Sequence, residues 1–142
     1  MIVFCDTSAL MKLYAQEAHS DLMRATVDGS AKCLVSLITW AEMCAAFGLK
    51  QRTQQRCEAQ ATSGLQRLHN EWDNFHQIAI DPPLINDAGR LALRFGLRAY
   101  DSVQLASAQR VHQQLGNLVT FCCFDKQLNT AASALAIPTL SP

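Results

Sequence analysis

The amino-acid sequence predicts an α/β fold: a three-layer α/β/α sandwich around a mainly parallel central sheet of roughly five strands. Three observations predict it. Short apolar runs rich in β-formers alternate with longer segments of helical periodicity along the whole chain. The run at 1–5 (MIVFC) is apolar throughout, as strands buried on both faces are, and 118–124 (LVTFCCF) is the clearest strand, apolar but for Thr120. The 142 residues, 49% of them hydrophobic, suffice for one domain with a core. No repeat, low-complexity tract or linker divides them, so 1–142 is assigned to a single domain.

Taken in order, the first strand at 1–5 is followed by Asp6-Thr7-Ser8 and then by ALMKLYAQE in helical spacing, a strand–cap–helix unit. A second helix is predicted over 19–27, ended by the turn signal Asp28-Gly29-Ser30. The second strand is 32–36 (KCLVS), and helix resumes over 37–49. The polar stretch 53–73 carries widely spaced apolar positions and reads as one long helix or two, with Gly64 as the break. A third strand at 75–80 is stopped by Asp81-Pro82-Pro83. Helices follow over 84–95, with Gly96 as C-cap, and over 100–115. The strand at 118–124, a last helix over 126–135 and a short fifth strand at 137–140 complete the chain.

Composition excludes several classes. Twelve basic and twelve acidic residues cancel, so no bulk charge attracts a nucleic acid; such a partner must be held locally. The six cysteines (Cys5, Cys33, Cys44, Cys57, Cys122, Cys123) form no C-x-x-C pair and no zinc spacing with histidine. They read as free thiols of a reducing cytoplasm, with Cys122 and Cys123 on opposite faces of one strand. The N-terminus shows no basic n-region or cleavage site and no stretch approaches a membrane span, so a soluble cytoplasmic protein without a membrane partner is expected.

Four acids draw attention: Asp6, Glu42, Asp101 and Asp125. Each has a structural reading. Asp6 and Asp125 follow strands where helix caps belong, Thr39-x-x-Glu42 matches a capping box, and Asp101 suits a helix N-terminus. Together they mean more. In a parallel α/β sheet ligands bind outside the carboxyl ends of the strands, and all four acids can reach that edge. Carboxylates sharing a cleft repel and need a cation. Oxygen ligands select Mg2+ or Mn2+, ions that can activate a water and screen a phosphodiester. An aspartyl-phosphate mechanism fits poorly, because Thr7-Ser8 and not a second acid follows Asp6.

The segments FCDTSALMKLY, SLITWAEMCAA, LRAYDSVQLASA and TFCCFDKQLNTAA resemble, in order and spacing, the four signature segments of PIN-domain proteins, most of all VapC-type toxins of toxin–antitoxin pairs. The resemblance spans essentially the whole chain. It implies a PIN-like fold and a Mg2+- or Mn2+-dependent endoribonuclease leaving a 3′-hydroxyl and a 5′-phosphate. It also implies a homodimer and a cognate antitoxin that blocks the site. Carried over residue by residue, the metal-binding acids fall on Asp6, Glu42, Asp101 and Asp125, with Thr7 and Ser8 supporting Asp6. Glu42 is expected to orient the attacking water. A housekeeping PIN nuclease without an antitoxin, and an inactive RNA-binding or scaffold module, are the alternatives; the intact set of four acids speaks against the second.

Lesser features complete the expectations. Arg90, Arg94 and Arg98 form a basic stripe for RNA if helix continues past Gly96, and Lys12 and Lys126 lie near proposed metal acids. Asn129, one helical turn after Asp125, either reaches the cleft or is an ordinary exposed residue. Trp40 and Trp72 read as core anchors. Leu10, Met11, Leu13 and Tyr14 either present a partner surface or cover the sheet. His19, His69, His76 and His112 are assigned no chemistry.

Overall fold

The computed structural model describes residues 1–53 and 58–140. Its sheet has four strands, all parallel, in the order β3-β2-β1-β4: β1 Ile2–Cys5, β2 Lys32–Ser36, β3 His76–Ile78 and β4 Val119–Cys122. Chain order runs outward from β1 to β3 and then returns to place β4 on the other side of β1. That reversal opens a crevice at the carboxyl ends of β1 and β4, the position where open α/β sheets bind ligands. The expected fifth strand is reduced to one parallel bridge, Thr139 with Phe121, flanked by hydrogen bonds from Phe121 N to Pro138 O and from Leu140 N to Phe121 O. Pro138 has no N–H to donate, which limits a longer ladder.

The helices are α1 Thr7–Tyr14, α2 Ser20–Asp28, α3 Ile38–Thr53, α4 Glu58–Glu71, α5 Pro82–Phe95, α6 Ala99–Gln114 and α7 Lys126–Ala134. Alternation along the strands sends Val3, Cys5, Val35 and Cys122 to one face, with buried residues of α1 to α4. Phe4, Leu34, Phe121 and Cys123 belong to the other, with α5, α6 and α7. This is the predicted three-layer sandwich, and Cys122 and Cys123 face opposite layers as expected. The five described cysteines are unpaired thiols; Cys57 lies outside the described residues. His112, inside α6, accepts from Val119 N at 3.2 Å and is a satisfied core histidine.

Local chemistry explains the element ends and several departures from expectation. Pro82 and Pro83 open α5 instead of preceding it, because proline tolerates the first turn and Asp81 caps it by accepting from Leu84 N at 2.9 Å. Gly64 does not break α4. A Cβ there would lie 2.4 Å from Tyr14 O and 3.0 Å from the Phe47 ring, so the glycine permits close packing of α4 on α1 and α3. Leu10, Met11 and Tyr14 are buried and cover the sheet, and Leu13, partly exposed, packs against the same cluster. Trp40 and Trp72 meet at a ring separation of 5.3 Å and anchor that layer's rim. Among the described residues no helix is long and apolar enough to cross a membrane.

Candidate active site

The site is built where β1 and β4 end. Asp6 N donates to Cys122 O at 3.1 Å, extending the strand pairing by one residue and fixing where the chain leaves the sheet. Asp6 then caps α1: its Oδ1 accepts from Ala9 N at 2.9 Å and from Ser8 Oγ at 2.7 Å. Ser8 Oγ itself accepts from Phe124 N at 3.0 Å, so the turns after the two strands are tied together through one hydroxyl.

Asp6 is only 5% exposed. Burial pushes its carboxyl up to about 6, and the charge of Glu42 adds to the rise. The Cys123 thiol, Ser8 and Ala9 pull it back by hydrogen bonding. The Cys123 thiol is held well above its usual range by burial and by the charge of Asp6, so it stays protonated at neutral pH. Asp125 caps α7 through Leu128 N at 2.9 Å, and its own N–H donates to Cys123 Sγ at 3.3 Å.

Glu42 is not part of a capping box. α3 already begins at Ile38, which places Thr39 inside the helix and fully buried. Glu42 Oε1 instead accepts from Thr7 Oγ1 and from Gln104 Nε2, both at 2.8 Å. Thr7 was expected to support Asp6; its hydroxyl serves Glu42, and Ser8 serves Asp6. Gln104 escaped the sequence reading. Within DSVQLASA it sits at an unremarkable helix position, and its partners Thr7 and Glu42 are 97 and 62 residues away.

The structure thus brings Asp6 and Glu42 into one electrostatic field and joins Asp125 to Asp6 through Cys123. Asp101 stands in the first turn of α6, three residues before Gln104, and accepts a loose 3.4 Å contact from Arg98 Nε. Among the described residues no three His, Cys, Asp or Glu side chains form a metal-ligand cluster. Asn129 is half-buried, not exposed: its Nδ2 donates to Cys123 O at 2.8 Å, while its Oδ1 is buried without a partner among the described residues.

The basic residues are arranged differently from the expectation. α5 stops at Phe95 because Gly96 adopts a left-handed conformation (φ 66°), so Arg98 belongs to the start of α6 and no continuous stripe forms. Arg90 pairs with Asp87, and Arg94 lies over the Phe95 ring. Lys12 is largely buried, bonded to Glu17 at 3.1 Å and set over the Phe124 ring at 4.6 Å. Lys126, exposed at the start of α7, forms no ion pair among the described residues.

The family model of the PIN domain matches residues 3–133. The chain belongs to the PIN-domain family. Its relatives include Ribonuclease VapC46 of Mycobacterium tuberculosis, 29% identical over 140 residues, covering 99% of this chain and 97% of the relative. Ribonuclease VapC45 of the same species is 30% identical over 133 residues, with 94% and 90% covered. A toxin–antitoxin complex from Klebsiella pneumoniae contains a chain of the same fold, with TM-score 0.66 at 18% identity over 98% of this chain and 96% of that one. So does VapBC-1 from nontypeable Haemophilus influenzae, with TM-score 0.65 at 11% identity over 99% and 98%.

The donor set of this PIN domain fits a hard divalent cation in its chemistry. Among the described residues none of Asp6, Glu42 and Asp125 forms an ion pair. A bound cation would neutralise a buried carboxyl that has a second carboxylate beside it and no counter-ion. Mg2+ characteristically takes one or two carboxylates and keeps several waters, which suits acids held near each other without a closed ligand cage.

Proposed function

We propose that this PIN domain is a Mg2+- or Mn2+-dependent endoribonuclease acting as the toxin of a toxin–antitoxin pair. The observation that carries the reading is the Asp6–Glu42 pair: a buried carboxyl raised to about 6 and a second acid in its field, at the crevice where the sheet reverses. A divalent cation, when bound, supplies charge neutralisation and lowers the pKa of a water, the two things phosphodiester hydrolysis needs. Asp6 and Glu42 would hold it, with Asp101 and Asp125 contributing directly or through water.

The chain's own groups do the rest. Ser8 and Ala9 fix the Asp6 carboxyl by one oxygen, and Thr7 fixes Glu42 in the same way. In this reading the other oxygen of Glu42 orients the attacking water, and the products are a 3′-hydroxyl and a 5′-phosphate. RNA as substrate is supported by the names of the ribonuclease relatives, and the antitoxin partner by the toxin–antitoxin complexes that share the fold. The reading includes a second copy of the chain as dimer partner, and a cytoplasmic site of action, where the five unpaired thiols persist.

The test is cleavage of total RNA with Mn2+, stopped by EDTA, with the ends sequenced for the wild type and for Asp101→Asn. Loss of most activity in a folded Asp101→Asn protein is expected; near-normal cleavage by it would sink the assignment. Growth arrest on expression, relieved by the product of a neighbouring gene, is the expected toxin behaviour. Its absence in an RNA-cleaving protein would leave a housekeeping nuclease.

A further inference from the structure

α6 carries four buried polar side chains: Ser102, Gln104, Ser107 and His112. The two serines satisfy themselves within their own helix, donating to Ala99 O at 2.7 Å and to Val103 O at 2.8 Å. His112 accepts from Val119 N of β4 at 3.2 Å, and among the described residues Gln104 alone of the four reaches other helices. Only 1% exposed, its Nε2 meets Glu42 Oε1 and Thr39 Oγ1, each at 2.8 Å, and Thr7 Oγ1 at 3.1 Å. One amide therefore ties α6 to α3 and to α1.

The network fixes the orientation of that amide. Thr7 directs its single proton to Glu42 Oε1, so towards Gln104 it can only accept. Glu42, when ionised, only accepts. Turning the amide over would set its oxygen against the Glu42 carboxylate. In the observed orientation both amide protons serve the site and the price falls on Oε1, which is buried with no partner among the described residues. A side chain kept for packing alone would avoid such an orphan, because an apolar residue of the same shape leaves nothing unsatisfied. Glu42 Oε1 receives two donors in this way, while Oε2 receives none among the described residues.

We infer that Gln104 is a positioning residue. It clamps Glu42 by Oε1 so that Oε2 remains available to the cation and its waters, and it holds Asp101, one turn earlier on α6, in register with α3. The inference rests on the reading of Asp6 and Glu42 as a divalent-cation site.

Gln104→Met keeps the length and volume and removes the donors. Mn2+ binding to purified protein, read from the electron paramagnetic resonance of free Mn2+, is expected to weaken roughly tenfold or more. RNA cleavage should then need correspondingly more Mn2+ for half-maximal rate and recover in part at saturation, with melting in EDTA little changed. In a Glu42→Gln background the same substitution should move Mn2+ affinity far less, because the clamped group is gone. Gln104→Leu, which also removes the donors and adds no charge, should bind Mn2+ more weakly than wild type and serves if the methionine variant does not fold. Wild-type Mn2+ affinity in both variants, or an equal loss with and without Glu42, would overturn the clamp while leaving the cation site standing. Absence of Mn2+ binding by the wild type would overturn both.

Discussion

Asp6 and Asp81 perform the same backbone task. Each follows a strand of the sheet, and each caps the next helix by accepting from the N–H three residues on, at 2.9 Å in both cases. Their surroundings differ in sign. Asp81 lies at the α5–α6 contact, where Arg110 donates to both of its oxygens at 2.9 Å, and that guanidinium holds the Asp81 carboxyl below its usual range. Asp6 is buried, has a second carboxylate for a neighbour, and is pushed up to about 6. One cap is neutralised by the protein itself; the other is left short of positive charge. On the proposed reading, the difference teaches how a structural acid and a cation-binding one separate when local sequence makes them look alike.

The largest consequence is for catalysis. Asp6→Asn keeps the cap, since an amide oxygen also accepts from Ala9 N, but removes the charge that would hold a cation. RNA cleavage should fall by a factor on the order of a hundred or more, the scale of losing Lewis-acid stabilisation. Asp81→Asn should leave cleavage near wild type under the same conditions. Comparable losses in the two variants, measured as kcat/KM on one RNA, would break the distinction.

The second consequence is a pair of opposite pH slopes in the metal-free protein. A carboxyl whose pKa rises on folding binds its proton more tightly when folded. Its contribution is fully present below the unfolded value and is lost as pH rises through the folded one. For Asp6, raised from 3.8 to about 6, the difference between the two ends of that window is about 3 kcal/mol. Asp81, lowered, contributes in the other direction: its stabilisation is present above the ordinary carboxylate value and is lost on acidification through its folded pKa. Urea melts in EDTA from pH 4 to 7 should show stability falling from pH 4 to about 6 and levelling off above it. Asp6→Asn should abolish that fall, and saturating Mn2+ should offset it. A wild type whose stability rises steadily from pH 4 to 7 would mean that Asp6 is not the uncompensated charge described here.

Much of this contrast could be read from the sequence, and the rest could not for identifiable reasons. The strands at 32–36 and after Leu118, and the helix ends at Gly96 and Asp125, follow from uninterrupted apolar runs and turn residues, which are local signals. Asp6 and Asp81 are equally legible as caps. What separates them is Glu42 on one side and Arg110 on the other, partners 36 and 29 residues away whose approach only the fold decides. The same holds for Gln104. The stripe of Arg90, Arg94 and Arg98 required helix to continue past Gly96; instead, glycine at a left-handed position ends the helix between the second and third arginine. Lys12, near the acids in sequence, was taken up by Glu17 and Phe124 once α1 packed against the chain that follows it.

A smaller effect sharpens the structural side. Asp81→Ala removes both the cap of α5 and the anchor of Arg110 on α6. Melting temperature should fall by a few degrees at neutral pH, as expected for a lost cap, with the Mn2+ requirement for cleavage unchanged. A shift in that requirement would connect the α5–α6 contact to the site and blur the two classes.

Asp101 tests the boundary between them, because it has a partner but a poor one. Arg98 approaches it at 3.4 Å, and the Arg98 side chain is 86% exposed against 28% for Asp101. An exposed pair at that distance contributes little, so Arg98→Ala should change stability by no more than ~0.5 kcal/mol. Solvent already screens the guanidinium from Asp101, so its loss should move the Mn2+ concentration for half-maximal cleavage by less than roughly twofold. A clear tightening of Mn2+ binding in Arg98→Ala would show that Arg98 competes with the cation for Asp101, as Arg110 would if it stood beside Asp6. Asp101 would then stand between the two classes, an acid that takes part in holding the cation and that the protein partly neutralises for itself.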